Sequence, residues 1–305
     1  MKLIYFGTAE FAVPALRALS THVSLVVSQP DRPTGRGLKM QESPVKAVAR
    51  ELGLVVETPE KSRTPEFVER LRLEKADALV VAAYGQILST AVLESATRGG
   101  INLHGSILPK YRGAAPIQRA IFDGETETGV TLMQMDKGMD TGDMIDIVRT
   151  PIGPDECYGE LAERLAILAA EQVSEWIHKI VAGDYPRTPQ YHEAATHAAK
   201  VSKAEAELSV LRPAGAEYNR FRAFSPSPGP FLSTRELGPL RVHACRLSDR
   251  VVEPGYLQVE GKRAWLGFFS GSLELLEVQQ AGKKRVLIEQ ALTGWRLDHA
   301  QSFVD

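Results

Sequence analysis

Through the first 180 or so residues, short unbroken apolar runs alternate with stretches whose apolar residues recur every three or four positions. The runs at residues 3–6, 23–28, 54–56, 78–83 and 100–103 read as strands, as do 130–135 and 144–148. Between them, residues 10–19, 45–52, 65–73 and 90–95 read as helices, with Pro14 tolerable only in a first turn. Residues 160–180 carry the pattern of a long amphipathic helix. Near-continuous apolar strands separated by helices predict an α/β fold with a doubly wound, mostly parallel sheet covered on both faces.

The pattern breaks at Gly183. Pro186 and Pro189 preclude helix, and the residues that follow are polar and Ala-rich. A helix at 216–223 and a Pro-rich turn at 224–230 come next. Short strand candidates follow at 240–244, 256–259, 264–267, 273–278 and 286–290, with turns between them. This spacing predicts a small C-terminal β-barrel of the oligonucleotide-binding type. The expected division is a catalytic domain over 1–186, a linker over 187–203 and a β-barrel domain over 204–305.

Composition narrows the class. The chain has 305 residues, enough for two domains, and 44% of them are hydrophobic, which argues against disorder. A net charge of −2 gives no bulk attraction to nucleic acid or to anionic membranes, so any nucleic-acid contact must come from local patches. The two cysteines, Cys157 and Cys245, form no framework and no zinc spacing; they suit a reducing cytoplasm and read as small buried hydrophobes. The apolar run at 3–6 is too short for a secretory signal, and no stretch is long enough to span a membrane.

Candidate chemistry concentrates between Gly100 and Met144. Asn102 and His104 lie two apart at a strand end, so alternation sends both side chains to one face. A neutral imidazole can accept a proton near pH 7, and a carboxamide N–H can stabilise an oxyanion. Asp140, in a Gly-flanked loop, can orient the imidazole and favour its charged form. The three together suit acyl transfer through a tetrahedral intermediate, with no activated Ser or Cys needed if the acceptor is an amine. Taken singly, each has a plainer reading: a structural histidine, a turn asparagine, an aspartate in good turn chemistry. Gly7-Thr8-Ala9-Glu10 sits where a dinucleotide fold places its Gly-rich turn, but it lacks the second and third glycines, so no nicotinamide cofactor is expected.

Asn102-Leu-His104-Gly-Ser106-Ile107-Leu108-Pro109, Tyr-Arg-Gly113-Ala-Ala-Pro116 and Asp136-Lys-Gly-Met-Asp140-Thr-Gly142-Asp143, in this order, strongly resemble the formyltransferases that use 10-formyltetrahydrofolate. Phe6–Pro14, Gln29–Gly37, Pro116–Ala120, Met133–Asp136 and Tyr218–Phe224 look like the branch of that family acting on methionyl-tRNA, so the resemblance covers nearly the whole chain. It implies Asn102, His104 and Asp140 as the catalytic trio, and Ser106, Ile107, Leu108 and Pro109 as the lining of the folate site. It implies 10-formyltetrahydrofolate as co-substrate and initiator methionyl-tRNA as partner and acceptor; the sequence leads us to expect no metal, no membrane association and no obligate protein partner.

The loop at 31–42, with Arg32, Arg36 and Lys39, is a solvated loop on its composition; the resemblance implies contact of Arg36 and Lys39 with tRNA. Tyr84–Ile87 borders the folate pocket by the same resemblance, with core packing as the alternative. In the C-terminal region, Arg220, Arg222, Arg241, Arg246, Lys262, Arg263 and Lys283–Arg285 are candidate phosphate contacts. Two departures from the family pattern are Ser227, where a Trp is usual, and Leu208-Ser209, where an acidic-aromatic-Ser run is usual. The rival readings are an amino-sugar formyltransferase and a non-catalytic RNA-binding protein on the same shell.

Overall fold

A computed structural model of the chain describes residues 1–34, 39–295 and 302–304. Two compact units emerge. The first comprises residues 1–116, 127–151 and 162–199; the second comprises 117–126, 152–161 and 200–305. Residues 187–199, expected as linker, fall in the first unit, whereas 117–126 and 152–161, expected in the catalytic domain, fall in the second.

The first unit holds β1 (Leu3–Gly7), α1 (Val13–Leu19), β2 (Val23–Val27), the hairpin β3 (Arg32–Thr34) and β4 (Lys39–Gln41), α2 (Pro44–Glu51), β5 (Val56–Glu57) and α3 (Pro65–Leu73). Next come β6 (Ala78–Ala82), α4 (Thr90–Leu93), β7 (Gly100–His104), β8 (Arg112–Gly113), β9 (Glu127–Gln134), β10 (Met144–Pro151) and β11 (His197–Ala198). The helix α5 (Pro116–Phe122) leads into the second unit, and α6 (Tyr158–Ala182) leads back from it.

Seven strands form one sheet in the order β10-β9-β7-β6-β1-β2-β5. The five from β7 to β5 are parallel, while β9 runs antiparallel to both β7 and β10. All five residues of β1 and of β6 are buried, as strands covered on both faces require. Ile4, Phe6, Leu25, Val27, Leu79 and Val81 alternate onto one face and meet Phe67, Val68 and Leu71 of α3. Helix starts follow from local chemistry. Ser43, Thr64 and Ser89 accept from backbone N–H groups three residues on, and proline begins α2 and α3. Pro14 stands in the first turn of α1, where its missing N–H costs nothing. Along α6, Leu165, Ala169, Val173, Ile177 and Ile180 recur at helical spacing and are buried.

The second unit contains α7 (Ala214–Phe224), β12 (Phe231–Thr234), β13 (Gly238–Ser248), β14 (Leu257–Glu260), β15 (Arg263–Gly267), β16 (Ser272–Gln280), β17 (Val286–Leu287) and α8 (Ile288–Gly294). Its strands pair antiparallel in the order β12-β13-β16-β15-β14, with β17 also on β16. Leu232, Leu240, Val242, Leu266, Leu273 and Leu275 form a core with Tyr218 and Phe221 of α7. The strand expected at 286–290 is corrected: two residues pair as β17, and then Ile288 and Ala291, three apart, are buried on a helix. Cys245 is buried in this core and Cys157 packs against it; both are free thiols. Burial is the main cause pushing the Cys157 thiol up to about 11, and it pushes Cys245 well above the ordinary thiol range, so neither is a ready nucleophile.

Among the described residues, no helix is long and apolar enough to cross a membrane. Nor does any cluster of three or more His, Cys, Asp or Glu side chains among them suit a metal ion.

Candidate active site

β7 lies between a parallel and an antiparallel neighbour, with Asn102 opposite Met133 and His104 opposite Thr131 on β9. Pleating puts Asn102 and His104 on the same face. His104 is almost fully buried. Its Nε2 lies 2.9 Å from the Tyr111 carbonyl oxygen. A carbonyl can only accept, so Nε2 carries a proton in either charge state and Nδ1 is the nitrogen left to exchange one. Nδ1 faces Asp140 Oδ2 at 3.7 Å.

Asp140 therefore does reach the pair. Its Oδ2 accepts from the Gly113 N–H at 2.8 Å, and its Oδ1 accepts from Asn102 Nδ2 at 3.4 Å. The carboxylate is thus anchored firmly by one backbone donor and only loosely by the two side chains it faces. Asp140 has φ +54°, a left-handed conformation that Asp tolerates better than most residues. The loop that carries it is locally specified. Asp136 Oδ1 accepts from the Gly138 N–H and the Thr141 hydroxyl. A side chain at Gly142 would meet the Gln134 carbonyl oxygen at 1.9 Å, so this close approach requires glycine.

The segment Ser106–Pro109 is fixed from β9. Thr131 Oγ1 donates to the Ser106 carbonyl and accepts from the Leu108 N–H. Ser106 and Leu108 are buried, and the Ser106 hydroxyl is spent on the Lys110 carbonyl. Only Ile107 and Pro109, both half-buried, offer side-chain surface to a ligand. A cavity of about 930 Å³ opens where the Asp140 loop begins, lined in part by Thr90, Leu93, Glu94, Met135, Asp136 and Lys137. None of Asn102, His104 and Asp140 lines it.

At the end of β6, Tyr84 is buried edge-on against Phe6, and its carbonyl accepts from Thr8 Oγ1 and Gln29 Nε2. Tyr84 is thus a packing residue, whereas Ile87 stands 78% exposed. The Gly7 turn packs tightly as well: a side chain there would meet Ala12 Cβ and the Tyr5 ring at 2.9 Å. Arg36 lies outside the described residues. Within the expected loop, Arg32–Thr34 pair antiparallel with Lys39–Gln41.

Several of the basic candidates have partners within the second unit. Arg222 is buried and donates to the carbonyls of Gly153 and Glu156 and to Asn219; Arg220 donates to Glu217 and the Glu205 carbonyl. Arg246 and Arg263 converge on Glu274, Lys262 pairs with Glu289, and Arg285 with Glu277. Leu208, at the first departure from the family pattern, is buried and donates its N–H to the Phe231 carbonyl; Ser227, at the other, is exposed.

Reasoning from the residues missed Tyr111, Thr131 and Gln190. Their contributions run through a backbone carbonyl, a buried hydroxyl and a carboxamide on an aperiodic segment, and none of these leaves a pattern in the sequence.

Residues 1–177 match the formyl transferase family, and residues 200–296 match the formyl transferase C-terminal domain. The chain belongs to the formyl transferase family. The methionyl-tRNA formyltransferase of Sorangium cellulosum is 44% identical over 300 residues, covering 96% of each chain. That of Symbiobacterium thermophilum is 44% identical over 302 residues, covering 96% of this chain and 92% of its own. Among solved structures, an N-formyltransferase from Helicobacter canadensis, in complex with folinic acid and dTDP-3-aminofucose, superposes with a TM-score of 0.65 at 17% identity. That match covers 94% of this chain and all of the other, and it supports the shared fold.

Proposed function

We propose that this formyl transferase moves a formyl group from 10-formyltetrahydrofolate to the α-amino group of methionine on initiator methionyl-tRNA, in the cytoplasm. The observation that carries the reading is the convergence of Asn102, His104 and Asp140 at one strand end, with Nδ1 of His104 3.7 Å from the carboxylate, in a chain 44% identical to methionyl-tRNA formyltransferases over nearly its full length.

The neutral amine attacks the formyl carbon, and a tetrahedral oxyanion forms. Asn102 Nδ2 stands as a donor to that oxygen, joined by His104 Nδ1–H once it has taken the proton the amine loses. Each such donor is worth ~3 kcal/mol when it is set in place before the charge develops. As the intermediate collapses, the bond to N10 of tetrahydrofolate breaks. The proton lost by the amine is returned to N10, with His104 Nδ1 as the nitrogen that can take and release it. Asp140 offsets the imidazolium charge. Ile107 and Pro109 border the folate. We assign tRNA contact to the second unit and, as the resemblance implies, to Arg36 and Lys39.

The test is formylation by the purified chain of initiator methionyl-tRNA, elongator methionyl-tRNA and an amino-sugar nucleotide, each with 10-formyltetrahydrofolate. Rapid transfer to the initiator species alone is expected. Transfer to the sugar amine in its place, or tight tRNA binding with no folate binding, overturns the reading.

A further inference from the structure

The segment just before β11 enters the active site. Gln190 is buried and uses its whole hydrogen-bonding capacity. Its Nε2 donates to the carbonyl of Asp140 at 2.9 Å and to that of Gly142 at 2.8 Å. Its Oε1 accepts from Arg112 Nε at 3.1 Å and Arg112 Nη2 at 2.6 Å. One carboxamide thus ties together the loop that carries the Asp140 carboxylate and the strand β8, whose Gly113 N–H holds that same carboxylate at 2.8 Å.

The other side of β8 is fixed by the same stretch of chain. β11 pairs with β8 in parallel, Arg112 N–H donates to the Thr196 carbonyl, and Tyr111 N–H donates to Thr196 Oγ1. Tyr111, at φ +60°, in turn presents its carbonyl to His104 Nε2. Residues 188–199 therefore hold both partners of the imidazole, the Tyr111 carbonyl at Nε2 and the Asp140 carboxylate at Nδ1. Asn102 and His104 themselves hold that carboxylate only at 3.4 and 3.7 Å, too loosely to fix its place.

We propose that Gln190 is a positioning residue for formyl transfer: its carboxamide locks the Asp140 loop to β8 and so sets the Asp140 carboxylate against His104 and Asn102. The inference rests on the formyl-transfer reading above. Loss of the clamp lets the loop relax from its left-handed turn at Asp140, and a shift of about 1 Å in a reacting constellation can cost on the order of 100-fold in rate. Substrate-binding surface is untouched, so the effect falls on kcat.

The test uses the full chain with two substitutions. Gln190→Leu removes both halves of the clamp. Gln190→Glu keeps an acceptor for Arg112 but places a carboxylate against two carbonyls. Both are expected to lower kcat by about 10- to 100-fold while KM for 10-formyltetrahydrofolate and for methionyl-tRNA stays within about threefold. A second readout needs no substrate: the Gly113 amide proton, bonded to a carboxylate in the wild type, should move upfield in the NMR spectrum of each variant, as it should in Asp140→Asn. A folded variant with turnover within about twofold of wild type overturns the inference, and so does a slowed variant whose Gly113 amide has not moved. If the wild-type chain does not formylate methionyl-tRNA, the functional reading falls; the amide shift still tests the clamp, so the two failures are distinguishable.

Discussion

Two polar clusters in this protein are built on opposite terms. In the second unit, Glu274 is buried under Arg246 and Arg263 with bonds of 2.6 to 2.9 Å, and the guanidinium groups of Arg250 and Arg263 stand over the Trp265 ring at 4.0 and 4.6 Å. The two arginines on Glu274 spend their charge on it. In the first unit, His104 and Asn102 meet Asp140 at 3.7 and 3.4 Å, longer than charge-assisted bonds made for stability. The tight cluster supports the fold, and the loose one keeps donors free for a charge that exists only during reaction. Charge alone does not separate the two; bond length and remaining donor capacity do.

The contrast can be broken most forcefully at Asp140. Asp140→Asn keeps the shape and removes the charge. It should lower turnover by roughly 1000-fold while leaving the urea midpoint of unfolding near that of wild type. Loss of stability with little loss of rate would place Asp140 in the structural class. His104→Ala and Asn102→Ala should each reduce turnover by about 100- to 1000-fold with tRNA affinity retained, read by single-turnover kinetics and filter binding.

Glu274→Gln should behave in the reverse manner. Urea denaturation is expected to show a loss of about 2 kcal/mol, with turnover unchanged. Acid sharpens the same point. The Arg263 hydrogen bond, more than any other cause, holds Glu274 down to about 2, and Arg119 does the same for Glu205. A carboxylate depressed in the folded state stabilises above its ordinary titration range, and that stabilisation is lost as pH falls through the folded value. Trp265 fluorescence should therefore report weakening of the second unit between the ordinary carboxylate range and about pH 2. At the small end, Arg149→Ala opens an exposed cross-strand pair with Glu127 and should change stability by no more than about 0.5 kcal/mol.

Most strands and helices of the first unit were legible because burial on both faces writes continuous apolar runs into β1 and β6. The antiparallel direction of β9 was not legible, since apolar runs carry no sign of strand direction. Residues 286–290 misled because Val-Leu-Ile suits a strand, yet Ile288 and Ala291 are buried at helical spacing ahead of Gly294. The stretch around Gln190 read as a linker because it has no period, and what it does is done by one amide and by backbone pairing. Of the candidate site, Asn102, His104 and Asp140 could be named in advance from resemblance and alternation. That Ser106 turns inward and Arg222 spends its charge on carbonyls depends on packing that residue type does not encode.

The left-handed turn at residue 140 restricts which replacements a mutant library can return. Asn and Gly fit that backbone, so they should give well-folded chains lacking the charge. Val and Ile oppose it through their branched Cβ and should be recovered mainly as poorly folded chains. Glu would move the carboxylate one methylene outward while also straining the main chain. A library randomised at this codon should therefore yield folded chains without the carboxylate far more readily than chains that carry it elsewhere.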